Sequence, residues 1–514
     1  MKSIRLMTGF FTVGIWTLLS RVLGFVREVL ILSLIGPGPL MDAFVAAFRL
    51  PNMFRRFFAE GAFNAAFVPM FSKRLEGGAD AAQFAQNAFS GLFFVVTLLT
   101  GLGMIFMPGL VWLTAEGFAE DERFDLTVGF GRIVFPYIFC MSLAALFSGI
   151  LNATGRFAVA AAAPVLLNIF VISALTIAAV TGGPAIFWLV WAIPIAGIAQ
   201  LVLTWRAAIQ AGFNLRPTRP RWNKDMRDLV VIALPAALAS GVMQINLVVG
   251  QLVASQYENA VSWLFAADRL YQLPLGVVGI AVGVVLLPEL SRRLRAGDDA
   301  GAKSALSRAA EISMALTIPS AVALVVIPLT LVSVLFERGA SGTDDSAAIA
   351  TAVMIYGLGL PAFVLQKLIQ PVYFAREDTK RPFYFAVVAM VVNAGLAVGL
   401  AQWVGWLAPA IAATVAGWTM YALLAIGARG FGDAARVDVR FRTRIWRIVA
   451  ASVVMGVVMW FLNVQLSTLL SVPWWRGLGL LLLLTGGAMT YFAAGQMIGA
   501  FKLSEFKAAM RRKS

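Results

Sequence analysis

The chain contains no histidine and only one cysteine, Cys140. This excludes Cys/His zinc sites, Cys–His nucleophiles, histidine bases and any internal disulfide. Cys140 sits in the stretch FPYIFCMSLAALF and reads as a small core residue. Charge is scarce too. Asp, Glu, Lys and Arg make up 13% of the 514 residues, where a soluble protein carries about one-quarter. No nucleotide-binding motif is present, so ATP is not the expected fuel and no cofactor is expected. What the chain has in quantity is apolar surface: 60% of its residues, with a mean hydropathy of +0.84.

The apolar residues come in runs of about 20, the length that crosses ~30 Å of hydrocarbon. The expected fold is therefore an all-α, multi-pass membrane protein. The first run, GFFTVGIWTLLSRVLGFVREVLILSLIG, is too long for a signal-peptide core. No A-x-A-like cleavage site follows it, so it should stay as a helix. Fourteen spans are expected, from residues 9–35 to 474–500. The second (41–71) and eighth (259–290) are long and contain Pro51 and Pro274, which should break them.

Net charge is +15. With the N-terminus placed in the cytoplasm, thirty of the 41 lysines and arginines fall on the inner side. Only Arg123, Arg338 and Arg476 fall outside. Such a bias puts both termini in the cytoplasm. It also makes the basic loops signals of topology, not nucleic-acid patches.

The chain resembles itself. AAFRL…PMFSKR (Ala46 to Arg74) matches AADRL…PELSRR (Ala266 to Arg293), and Pro136 and Asn168 match Pro361 and Asn393. Each half holds six expected spans. Because six is even, the halves share one topology and form a parallel repeat about an axis along the membrane normal. The expected division is residues 1–215, 216–432 and, outside the repeat, 433–514 with the last two spans and a basic tail.

Eight cations lie within the spans. Arg132 and Lys367 sit near helix ends, where they can snorkel. The other six are Arg21, Arg27, Arg49, Arg55, Arg56 and Arg269. Each costs roughly 2.5–3.5 kcal/mol at the bilayer centre on insertion scales, so together they must line water or meet acids. At about 100° per residue, Ser20, Gly24 and Arg27 fall within ~60° of one another, with Arg21 and Glu28 flanking them. Arg49, Asn52, Arg56 and Glu60 align similarly on the second span, and Arg269 matches Arg49 across the repeat. The nearby acids are Glu28, Asp42, Glu60 and Asp268, four for six arginines. A solvated cationic cavity for an anion follows. Arginine suits phosphate because its planar fork donates two parallel hydrogen bonds. An arginine with no fixed partner should be removable without loss of folded protein, whereas one paired to Glu28 should not.

Three stretches carry a resemblance. SRVLGFVRE (Ser20–Glu28), DAFVAAFRLPNMFRRFFAEGAFNAAFVP (Asp42–Pro69) and AADRLYQLPLGVVGIAVGVVLLPELS (Ala266–Ser291) closely resemble the MurJ (MviN) family of lipid II flippases of bacterial cell-wall synthesis. That family lies within the superfamily of multidrug and oligosaccharidyl-lipid exporters. The resemblance covers essentially the whole chain and implies a transporter rather than an enzyme. It implies transfer of lipid II, a polyprenyl diphosphate bearing a disaccharide-pentapeptide, from the inner to the outer leaflet of the bacterial cytoplasmic membrane.

The cavity arginines it implies are Arg21, Arg27, Arg55 and Arg269, with Asp42 as an important acid and spans 13 and 14 as a groove for the lipid tail. Expected partners are lipid II and the cell-wall synthesis machinery, with the chain as a monomer. Two positions depart from the family pattern. Glu28 stands where Asp is frequent, and Gln272 stands where an acid is frequent. Spacing favours Arg56 for the cavity face, whereas the family favours Arg55. Alternatives of other kinds are a flippase for another polyprenyl-diphosphate oligosaccharide, a cation-coupled multidrug exporter, an enzyme on lipid-linked sugars, and a scaffold. The membrane potential is the expected energy source, with the coupling ion open.

Overall fold

The computed structural model describes residues 2–55, 62–78, 80–281 and 286–501. Among these residues the chain is helical throughout, with turns between helices and no strand. It divides into two compact units, Met1–Ser262 and Trp263–Ser514.

The first unit contains α1 (Lys2–Leu34), α2 (Pro39–Arg55), α3 (Ala62–Glu76), α4 (Ala81–Ile105), α5 (Met107–Thr114), α6 (Glu122–Val134), α7 (Tyr137–Ala153), α8 (Phe157–Thr181), α9 (Ala185–Gln210) and α10 (Lys224–Ser255). The unit boundary falls in α11 (Ala260–Ala281). The second unit continues with α12 (Leu287–Arg295), α13 (Asp299–Val326), α14 (Pro328–Phe336), α15 (Thr343–Phe374) and α16 (Lys380–Val404). It ends with α17 (Ala408–Ala428), α18 (Val439–Gln465), α19 (Ser467–Ser471) and α20 (Arg476–Ile498).

Nine stretches among the described residues are long and apolar enough to cross a membrane, one of them the 52-residue Lys380–Phe431. Helices suit that solvent because every interior N–H and C=O bonds within its own segment. Their outward side chains are apolar: Val180, Trp403 and Met497 are each more than 80% exposed. In water such a surface would be an aggregation hazard; in hydrocarbon it is the matching one.

Proline position decides where spans bend, and the expected breaks need correction. Pro51 and Pro274 lie inside α2 and α11, which run through them. Beside Pro51, the Asn52 Nδ2 donates to the Phe48 carbonyl at 3.0 Å, adding a side-chain bond to the weakened turn. The third and ninth spans do divide, between α4 and α5 and between α13 and α14. In each case a proline (Pro108, Pro328) opens the new helix, where its missing N–H is not needed.

In the first unit, Phe67 stacks on Phe63, Phe71 and Phe84 with centroids 5.4–5.6 Å apart. Arg74 covers Phe84 and pairs with Asp225 at 2.6 Å, fastening α3 to α10. In the second unit the last helices are fixed by charge. Asp438 caps α18 by accepting from the Phe441 amide at 2.7 Å. The buried carboxylate of Glu311, on α13, gathers Arg308, Arg444 and, at 3.5 Å, Arg440. α18 and α20 then meet through glycine: a Cβ on Gly486 or Gly487 would lie 2.8 Å from Leu462 or 2.7 Å from Met459.

The tightest backbone approach belongs to the loop after α5. A Cβ on Gly117 would stand 2.4 Å from the backbone carbon of Ser255, which cannot swing aside as a side chain can. Gly117→Ala should therefore destabilise the first unit by about 1–3 kcal/mol, the usual range for overpacking. A fluorescence-detected thermal melt of the purified protein reads this as a lowered midpoint; an unchanged midpoint would mean the loop moves freely.

Candidate functional site

The middle of α1 faces α8. Arg27 Nη2 meets Glu28 Oε1 at 2.5 Å, and Arg27 Nη1 donates to Asn168 Oδ1 at 2.9 Å. Asn168 Nδ2 in turn donates to the Ser20 carbonyl at 2.9 Å and lies 3.4 Å from the Ser20 hydroxyl. Gly24 leaves room for that amide: a Cβ there would touch it at 3.8 Å. Ser20, Gly24 and Arg27 thus share a face as their spacing requires, and Asn168 is what they face. Arg27 keeps 16% of its side chain accessible, Glu28 4%. Arg21 is exposed. Of the two cases open for Arg27, the structure shows the paired one: Glu28 and Asn168 both hold its guanidinium, and a largely buried cation is stabilised by acceptors held against it.

Arg55 ends α2 half-buried, and Arg49 donates to the Leu247 carbonyl at 3.5 Å. Arg56 and Glu60 lie outside the described residues. In the second unit, Arg269 places its guanidinium 4.5 Å from the Phe265 ring centroid, and Gln272 donates to Asp268. The Asp268 carboxylate is thereby engaged along its own helix, one turn from Gln272.

A second cluster is organised by Asp42, which is fully buried near the start of α2. Its Oδ1 accepts from the Ser262 amide at 2.8 Å and the Ser262 hydroxyl at 2.7 Å. Its Oδ2 lies 3.4 Å from Arg123 Nη1. Arg123, 5% exposed, also forks onto Asp121 at 2.5–3.0 Å, donates to the Tyr257 carbonyl at 3.3 Å and stacks 4.4 Å from Phe118. Asp121 caps α6 through the Arg123 amide at 2.8 Å. Burial raises the Asp121 carboxyl, but hydrogen bonds and charge from Arg123 outweigh that and hold it below the usual carboxylate range. Its stabilising contribution is therefore present at neutral pH and lost only in acid, as pH falls through the depressed value. Gly117 donates to Ser255 Oγ at 3.1 Å and Gln251 to the Thr114 carbonyl at 3.2 Å, so the loop after α5 closes against the end of α10.

Sequence reading missed two participants. Arg123 looked like one of three outer-loop charges, and no periodicity marks it as buried. Asn168 entered only as a repeat marker, although an amide inside the run VLLNIFVISAL is itself a signal of an interhelical bond.

The family model described as "Lipid II flippase MurJ" matches residues 31–483. The chain belongs to the MurJ lipid II flippase family. A Rhizobium meliloti (strain 1021) protein described as "Probable lipid II flippase MurJ" is 44% identical over 98% of this chain and 96% of its own length. A Burkholderia cenocepacia "Lipid II flippase MurJ" is 34% identical over 74% and 76%. The solved structure "Lipid II flippase MurJ, inward closed conformation" superposes with a TM-score of 0.79 at 24% identity, covering 94% of this chain and 98% of that one. A MATE-family multidrug transporter of the MOP superfamily, inward-facing, gives 0.64 at 15% identity over 84% and 95%. The MurJ assignment thus rests on sequence, and the superpositions show the fold.

The Asp42 cluster makes a direct prediction. Arg123→Ala leaves a buried carboxylate without its cation, a change that costs about 3–5 kcal/mol. Folded protein in the membrane, read by blot and melt, should fall sharply, and Asp42→Asn in the same chain should restore part of it. Normal levels of the single variant would show that Ser262 alone satisfies Asp42.

Proposed function

We propose that this chain carries lipid II from the inner to the outer leaflet of the bacterial cytoplasmic membrane by alternating access between two six-span lobes. The family match across residues 31–483 carries the reading. Fourteen spans, a parallel repeat and cytoplasmic termini are the architecture we infer. Residues 1–215 and 216–432 supply the lobes, and 433–514 the two added helices that hold the lipid tail. Arg21, Arg27, Arg55 and Arg269 take the diphosphate. Glu28 and Asn168 keep the Arg27 fork oriented, and phosphate takes the donors they leave over, so that neither Arg27 nor Glu28 is left without a counter-charge. Asp42, Arg123 and Ser262 join the second, fourth and eighth spans on the outer side, and opening outward breaks that junction.

A cation-exporting relative would present free carboxylates to its cargo. Among the described residues Glu28, Asp42, Asp268 and Glu311 each hold a donor. The charge balance therefore favours an anionic substrate. A membrane potential, negative inside, favours outward movement of a diphosphate by about 2.3 kcal/mol per charge per 100 mV. The chain acts as a monomer in this scheme, beside the enzymes that consume lipid II.

Purified protein in liposomes should move lipid II between leaflets. Collapsing the potential should stop net transfer, and nucleotides should change nothing. Undiminished transfer in depolarised vesicles would sink the energetic part, and absence of transfer the whole. Arg27→Ala should lower folded protein as well as abolish transport. Adding Glu28→Gln should restore the protein level but not the transport. Restored transport would reduce Arg27 to a helix fastener.

A further inference from the structure

In the first unit α7 packs against both α4 and α9. Phe93 of α4 meets Phe139 of α7 edge-on, with centroids 5.3 Å apart. Gly197 lets α9 approach α7 closely: a Cβ there would stand 2.8 Å from Tyr137 and 3.2 Å from the Cys140 Cβ. All three helices belong to stretches able to cross a membrane. They border a cavity of about 430 Å³, within the range of small-molecule pockets. Cys140, 6% exposed, is its floor. Thr97 and Thr100 of α4 form one wall, and Pro194 and Ile198 of α9 form the other. Thr97 and Ile198 are exposed and mark the mouth. One turn away on the same helices, Phe94 and Ile195 are 56% and 48% exposed, so the mouth opens on the apolar outer surface.

The lining decides what can enter. The Thr97 and Thr100 hydroxyls donate back to the Phe93 and Val96 carbonyls at 2.6 Å each, and Pro194 has no N–H to offer. A water in this cavity would lack the two to four polar partners it needs. An empty cavity would forfeit dispersion contacts along its whole lining. The solvent beside the mouth is hydrocarbon, in which phospholipid chains are the bulk component, and mass action favours them over any minor lipid.

We propose that this cavity holds one acyl chain of a membrane phospholipid, inserted between α4 and α9 and ending against Cys140. A chain that only coats the protein reaches outward side chains such as Phe94 and Ile195. A chain seated in the cavity reaches the buried thiol as well. The site lies wholly in the first unit and needs neither the transport reading nor an orientation in the membrane.

The test uses the full-length protein in liposomes containing phosphatidylglycerol with a diazirine in its acyl chain. Irradiation converts the diazirine to a carbene, and peptide mass spectrometry locates the adducts. Cys140 is the chain's one cysteine, so its adduct is unambiguous. Adducts are expected on Cys140 as well as on Phe94 and Ile195. Ile198→Trp fills the mouth and should remove the Cys140 adduct while leaving that on Phe94. Thr97→Phe closes the cavity from the other wall with the same result on Ile195, and it serves if the tryptophan variant folds poorly. Adducts on Phe94 and Ile195 with none on Cys140 would mean that lipid only coats this surface, which overturns the proposal. A Cys140 adduct that survives both substitutions overturns it too. So does a Cys140 adduct displaced by excess undecaprenyl phosphate but not by excess unlabelled phosphatidylglycerol, since the occupant would then be a polyprenyl chain.

Discussion

A charge buried away from bulk water has to meet a counter-charge, a fixed dipole or trapped water, and this requirement shapes the whole molecule. The energy of an isolated ion there exceeds what packing of one helix pair can offset. Glu311 is the plainest case. It is a buried carboxylate more than two turns into α13, and it is satisfied because α18 delivers two arginines to it and α13 a third. The ionic contact dictates which helix lies beside α13. Asp42 does the same for α2, α6 and the start of α11.

The two kinds of cluster differ in what they permit. Asp42 is fully enclosed, with two donors from Ser262 and one from Arg123, so it acts as a fastening between helices. Arg27 is paired but still partly accessible, and its partner Glu28 sits on the same helix. Breaking that pair alone does not pull two helices apart. A substrate site inside a membrane needs this second kind of pairing, because it must stay neutral while empty and become available without unfolding anything.

Proline shows how far local sequence reaches. Pro108 and Pro328 divide spans because each can sit at the first turn of a new helix, where a missing donor is harmless. Pro51 and Pro274 stay within continuous helices, the first buried and the second half-buried. The residue type is the same in both settings. Only the neighbours decide whether the helix bends or ends.

The sequence by itself determined the solvent and the chemistry. Repeated apolar runs of bilayer length demand helices, and arginines among them demand an anion or acids. The motifs from Ser20 to Glu28 and from Asp42 to Pro69 carried the family. Tertiary structure alone decided which acceptor each cation meets. Arg27 turns to Asn168, 141 positions away, and Arg123 turns to Asp42, 81 positions away. No periodicity encodes such pairs, because helical spacing fixes which face a side chain shares but not which helix comes to lie against it.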